Sequence, residues 1–118
     1  MIAYGVQVNH LLKAADLLAE KGIRAAVLKM NRISPLDDQD VLCASIGQTK
    51  KLLVLEDALG AGCVGQRIAG ILALHGMAPE KLILKNLGKT FAPEGSVTEL
   101  EHSFGLDAEA IAAAVLEA

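Results

Sequence analysis

Aromatic side chains are almost missing from this chain. Tyr4, Phe91 and Phe104 make up 3% of 118 residues and there is no tryptophan, although hydrophobic residues account for 53%. The core therefore has to be filled by Ala, Leu, Val and Ile, the usual filling of parallel α/β layers. Basic runs are lacking too. The net charge is -3 and the isoelectric point about 5.5, which argues against nucleic acid and anionic membrane as partners. Cysteine is limited to Cys43 and Cys63, too far apart for a CxxC pair and expected to be reduced packing residues. Cys63 lies near a helix start, so a reactive thiol is the alternative reading there. His10, His75 and His102 are scattered without HxxH or HExxH spacing, and are expected on the surface or at helix ends with no metal. No apolar run is long enough to span a bilayer. Met1-Ile2-Ala3-Tyr4-Gly5 enters structure without a leader, so a cytoplasmic location is expected.

At 12.3 kDa the chain has the size of one domain, residues 1–118, large enough for a core but small for an enzyme that carries its own cofactor site. The abrupt opening strand suggests a piece of a longer sequence.

The most informative stretch is Lys51 to His75. Leu52-Leu53-Val54-Leu55 reads as a strand, followed by the acidic pair Glu56-Asp57, the glycine-rich run Gly60-Ala61-Gly62-Cys63-Val64-Gly65, and an amphipathic helix. The glycines match GxGxxG, which in a dinucleotide site seats a pyrophosphate on the amide-lined start of the helix. Two features oppose that reading. In the fingerprint the glycines close the first strand directly, and an acid about 20 residues on ends the next strand. Here two carboxylates stand between strand and glycines, where they repel a phosphate, and Glu80 precedes the following strand. The plainer reading is that Gly60, Gly62 and Gly65 let the loop turn and the helix pack closely on the sheet.

Around this unit the chain alternates. Met1 to Val6 reads as a strand, then Asn9 caps a helix to about Lys21, with Leu11, Ala14, Ala15 and Leu18 on one face and Gly22 as its stop. Ile23 to Met30 reads as a second strand. Asp37 is an N-cap flanked by a Leu36–Val41 staple, opening a helix to about Gly47. The central helix runs from about Cys63 through His75 with Val64, Ile68, Ile71 and Leu72 inward and Gly76 at its end. Lys81 to Leu87 is the fourth strand. Gly88 to Gly95 connects onward with Phe91 expected inward. Ser96-Val97-Thr98-Glu99 is a capping box for a short helix burying Val97, Leu100 and Phe104. Asp107 caps the last helix, with Ile111, Ala114 and Val115 against a neighbour. The alternation implies an α/β fold, a mainly parallel four-stranded sheet with helices on both faces, with one edge lacking a partner.

No nucleophile, base and acid assemble in this order of residues. Only Glu56 and Asp57 stand at a strand's carboxyl end, and two adjacent carboxylates are more often helix-terminus partners or solvated charges than an acid–base pair. Arg32 and Arg67 suit a phosphate or an acidic surface, with ordinary surface charge as the plainer reading.

Taken in order, several segments resemble the C-terminal domain of the transketolase family of thiamine-diphosphate enzymes, over essentially the whole chain. Ile2-Ala3-Tyr4-Gly5 is similar to the family's IAYG strand, and Ser34-Pro35-Leu36-Asp37 to its PLD turn. Leu53-Val54-Leu55-Glu56-Asp57 and the glycines resemble the VVxEE/ED…GGxG segment. Gly95-Ser96 with Gly105-Leu106-Asp107-Ala108 resembles the closing HGS…YGLDAxGI of its 1-deoxy-D-xylulose-5-phosphate synthase branch, with Glu94 where histidine is common. The resemblance implies a three-layer α/β/α domain without the family's extra antiparallel edge strand. It implies a parent transferase that condenses pyruvate and glyceraldehyde 3-phosphate with loss of carbon dioxide for isoprenoid precursors. Thiamine diphosphate and Mg2+ would be held by preceding domains of a dimer. This domain would support the dimer and the active-site cleft and contribute no catalytic, cofactor-binding or metal residue. Its partners would be the preceding domains and a second subunit, with Glu56 and Asp57 facing them and Gly60, Gly62 and Gly65 shaping the loop. The other readings are a transketolase or 2-oxoacid dehydrogenase E1 beta-type subunit, a separate subunit completing a split enzyme, or an independent nucleotide- or anion-binding module.

Overall fold

A computed structural model describes residues 1–34 and 39–118, and the side chains of 39–42 and 46 are not considered further. Its strands are β1 (Ile2–Tyr4), β2 (Leu28–Met30), β3 (Lys51–Leu55) and β4 (Lys81–Lys85). Its helices are α1 (Val8–Glu20), α2 (Gln39–Thr49), α3 (Val64–Leu74), α4 (Val97–Ser103) and α5 (Ala108–Glu117). All neighbouring strands are parallel, in the order β2-β1-β3-β4. The expected parallel four-stranded α/β architecture is thus the observed one.

Strand alternation sorts the core into two layers. From β3, Leu52 and Val54 point to one face and meet Ile2, Met30 and, from α3, Val64, Ile68 and Leu72, with Cys43 of α2 packed alongside. Leu53 and Leu55 point to the other face and meet Ala3, Leu11 and Ala14 of α1, and Leu106, Ala108 and Ile111 at α5. The chain leaves β1 toward β2 through α1 and leaves β3 toward β4 through α3. Crossovers of one hand running in opposite directions must lie on opposite faces. The strand order therefore reverses between β1 and β3, and the carboxyl ends of these two strands border the crevice where open α/β sheets place their functional groups.

Several local expectations are corrected. Asn9 does not cap α1. Gly5, at φ 61°, turns the chain into a 3-10 turn (Gly5–Gln7) that feeds the helix directly, with Gln7 at its N-cap and no side-chain cap. Residues 23–27 lie outside β2, which begins at Leu28. The ladder pairs Ile2 with Leu28 and ends with Met1, whose backbone bonds Leu28 and Ala26. Helix α2 continues two residues past Gly47, and Lys50 takes the left-handed position at φ 61°. Strand β4 ends at Lys85, short of Leu87. Phe91 and Val97 are exposed, at 92% and 72%. The connection carrying Phe91 lies open, and α4 turns toward the body through the half-buried Leu100 and Glu101 and, at its C-cap, Phe104. His10 is a half-buried partner of Glu101 across α1 and α4, its Nε2 2.7 Å from the carboxylate. Asp37 and the Leu36–Val41 staple lie outside the described residues.

Other expectations hold. Gly22 follows α1 in a Schellman closure, with Ile23 N–H donating to Leu18 O and Gly22 N–H to Ala19 O. Ser96 and Glu99 form the capping box. Asp107 Oδ1 accepts from Ala110 N–H at 3.0 Å, while Oδ2 takes His102 Nδ1 at 2.6 Å. Burial alone would raise the Asp107 pKa, but the His102 contact, the Ala110 N–H and the charge of His102 and His10 outweigh it and hold the carboxyl below the ordinary aspartate range. A depressed pKa contributes stability that is present above the unfolded value and lost as pH falls through the folded one. Acid titration of stability should therefore steepen below about pH 4 in the wild type and flatten in Asp107→Asn. Asp107→Ala should cost about 1 kcal/mol at neutral pH in urea unfolding.

Candidate functional site

Beyond β3 the chain places a carboxylate where solvent does not reach it. Glu56 is 1% exposed. Its backbone N–H still continues the ladder to β4, donating to Lys85 O at 2.9 Å, so the side chain is aimed by the sheet itself. Oε1 accepts from Val64 N–H at 2.8 Å and from the Tyr4 hydroxyl at 3.1 Å, and Oε2 accepts from Gly65 N–H at 2.8 Å. Val64 and Gly65 are the first two residues of α3, whose N-cap, Cys63, makes no side-chain cap bond. Glu56 therefore acts as the cap from eight and nine residues away. It satisfies two N–H groups that a helix start leaves open, and its charge sits at the positive end of the helix dipole. Charge-assisted bonds of this kind are what make a buried carboxylate tolerable.

The glycines divide the work of the loop. Gly62 has φ 69°, the left-handed turn that redirects the chain into α3, and its N–H is held by Gln66 Oε1 at 2.9 Å. A Cβ on Gly65 would lie 2.6 Å from Leu84 Cδ2 and 3.4 Å from both Val54 Cβ and Glu56 Oε2, so a side chain there would force Leu84 to shift. Gly60 is tight against Asn86 Oδ1, at 3.3 Å from an added Cβ, and its N–H donates to Gly88 O at 2.8 Å. Together with the Leu87 N–H to Ala58 O bond, this straps the loop after β3 to the one after β4. Asp57 is exposed beside this strap.

Tyr4, which the sequence reading passed over as a site residue, completes the arrangement from the carboxyl end of β1. Its signal was its place as the sole tyrosine at a strand's carboxyl end. Burial pushes its hydroxyl up, and the charge and hydrogen bond of Glu56 add to this, to about 12. Cys63 is buried and free, and Cys43 is free and partly buried. Arg67 Nη2 donates to Ile33 O at 2.8 Å, tying α3 to the segment after β2, and Arg32 is exposed. His75 Nδ1 lies 2.9 Å from Ile71 O at the end of α3.

Chemically the site is already filled. The two helix-start amides that a pyrophosphate would use are occupied by the chain's own carboxylate, which would also repel it. The donors present do not fit a dinucleotide or the diphosphate of thiamine diphosphate. Among the described residues no three His, Cys, Asp or Glu side chains converge as a metal site, and no helix is long and apolar enough to cross a membrane.

The fold and the site define a parallel three-layer α/β domain whose switch point is closed by an internal carboxylate. The comparisons with known proteins give the family. "Transketolase, C-terminal domain" matches residues 1–111, and this chain belongs to that family. A Methanocaldococcus jannaschii protein assigned provisionally as a transketolase C-terminal section is 32% identical over 99% of the chain and 35% of its own length. The 1-deoxy-D-xylulose-5-phosphate synthase of Desulforudis audaxviator is 31% identical over 94% of the chain and 17% of its own length. The Geobacter sulfurreducens 1-deoxy-D-xylulose-5-phosphate synthase 1 is 34% identical over 97% and 18%. Among solved structures, a split-gene transketolase described as an inactive beta4 tetramer superposes with a TM-score of 0.85 at 26% identity, over 99% of this chain and 36% of that one. The chain thus spans between about a sixth and a third of the relatives it matches.

Because Tyr4 is the single tyrosine and tryptophan is absent, the tyrosinate absorbance titration reports it alone. Its midpoint should lie near 12 and fall toward the ordinary value of about 10 in Glu56→Gln. With the folded pKa raised, the stability that the pair contributes is complete below about pH 10 and is lost as pH rises through 12. A wild-type midpoint at 10 would contradict the assignment. Gly65→Ala should cost about 1–3 kcal/mol in urea unfolding, because the added methyl must displace Leu84.

Proposed function

We propose that this chain works as the C-terminal domain of a 1-deoxy-D-xylulose-5-phosphate synthase, a cytoplasmic thiamine-diphosphate transferase that condenses pyruvate with glyceraldehyde 3-phosphate and releases carbon dioxide to supply isoprenoid precursors. The observation that carries this reading is the alignment of synthases over nearly the whole chain at about a third identity. The filled helix start supports the division of labour. Thiamine diphosphate and Mg2+, which supply the carbanion chemistry when bound, sit on other domains, and residues 1–118 form a scaffold domain of the longer enzyme that supports the dimer and the cleft. In this reading Gly60, Gly62 and Gly65 hold the loop in shape, Glu56 fixes α3 to β1, and exposed Asp57 is left to meet a neighbouring domain or subunit. A second reading, a transketolase divided between two chains, is favoured by the M. jannaschii relative and the split-gene structure.

An assay of the enzyme containing this chain separates them. Consumption of pyruvate and glyceraldehyde 3-phosphate with carbon dioxide release is expected. Two-carbon transfer between sugar phosphates without pyruvate would favour the second reading. Turnover, or saturable micromolar binding of NAD, ATP or thiamine diphosphate, by the 118-residue chain alone would defeat both.

A further inference from the structure

We infer that an apolar rim along the carboxyl edge of the sheet, formed by Val6, Leu59, Phe91 and Val97, is the surface on which this domain docks against a neighbouring domain of the larger thiamine-diphosphate enzyme. The inference rests on the functional reading just given and adds to it the face that is used. Val6 is 73% exposed, Leu59 43%, Phe91 92% and Val97 72%. Val6 lies two residues past β1, Leu59 in the loop after β3, Phe91 in the connection after β4, and Val97 opens α4. Since β1, β3 and β4 are adjacent and parallel, the segments that follow them emerge at the same edge. Two backbone bonds strap the loop of Leu59 to the start of the connection that carries Phe91, and α4 is fastened to the first turn of α1 by the Glu101–His10 contact. The other large exposed apolar residues, Leu12, Leu74 and Leu116, stand singly on three different helices, an ordinary occurrence on protein surfaces.

Size decides what covers the rim. Four such side chains offer on the order of 400 Å2 of apolar surface. Stable complexes of free partners need about 800 Å2 on each side. Contacts between domains of one enzyme succeed with less, because linkage or shared assembly raises the effective concentration of the partner to roughly millimolar. The relatives supply such a partner, since the homologous region fills only 17% to 36% of their chains. Exposed Asp57, two residues from Leu59, provides the polar border that such interfaces carry. The loop of Leu59 is held beforehand by its two backbone bonds to the start of the next connection, and Val97 by the capping box at Ser96 and Glu99, which reduces the ordering required on docking.

Carbene footprinting of the assembled, thiamine-dependent enzyme tests this, with Leu74, 88% exposed at the opposite end of α3, as the internal reference. Phe91 is expected to label several-fold less than Leu74. Phe91→Asp, a change at a solvent-exposed position that leaves the fold intact, should weaken the assembly by at least about tenfold in sedimentation. Leu74→Asp should leave it unchanged. Equal labelling of the two residues with unchanged assembly overturns the inference while thiamine-dependent turnover keeps the functional reading standing. Cross-links joining Phe91 to Phe91 of another copy overturn it in favour of self-association. An assembly without thiamine-dependent turnover removes the functional reading, and the docking assignment falls with it.

Discussion

The burial of one carboxylate governs the geometry of this domain. Glu56 leaves β3 at the point where the sheet reverses its winding, and in one stroke it joins the central strand, the first turn of α3 and the end of β1. An unpaired carboxylate at 1% exposure would be intolerable, so the three donors are as necessary to Glu56 as it is to them. The glycine at position 65 follows from the same constraint. For Oε2 to reach the amide of Gly65 at 2.8 Å, the helix must come in so close that a methyl group would collide with Leu84. Acid, glycine and tyrosine are thus one structural device spread over three segments.

That device shows what the helix start at an exact GxGxxG run is bonded to. In a dinucleotide fold the helix start is left open and the ligand supplies the negative charge. Here the protein supplies it, and the glycines retain only their geometric duties of turning and close approach. The consequence is that the first turn of α3 is held to β3 and β1 by the protein's own groups.

Much of this was legible in the sequence, and for identifiable reasons. The run Leu52 to Leu55 reads as a strand and is one, with its alternate residues in the two core layers. The cap at Asp107, the box at Ser96 and Glu99 and the stop at Gly22 are local chemistry, decided within a few residues. What was not legible is the contact between Tyr4 and Glu56, separated by 52 positions. Nothing in the spacing of either residue signals the other, and only the strand order puts β1 beside β3. The same holds for His10 and Glu101, which meet because α4 folds back on α1. Asn9 misled for the opposite reason. It is a good capping residue in isolation, but the turn at Gly5 had already set the helix start.

Phe91 and Val97 expose a subtler difficulty. A hydrophobic residue in a pattern signals that something will cover it, without saying whether the cover belongs to the same chain. For a domain that completes itself the two statements coincide, and inward placement follows. In a domain of a longer protein the two statements can separate, because part of an apolar pattern then serves surfaces that other domains provide. The separation has a spatial signature. Among the described residues, the buried apolar ones line the two faces of the sheet, whereas Phe91 and Val97 are exposed in the segment that follows β4. The two inward expectations that fail, Phe91 and Val97, both lie in the segment after β4 and neither lies on a sheet face, so the apolar pattern misleads where the chain has left its own core.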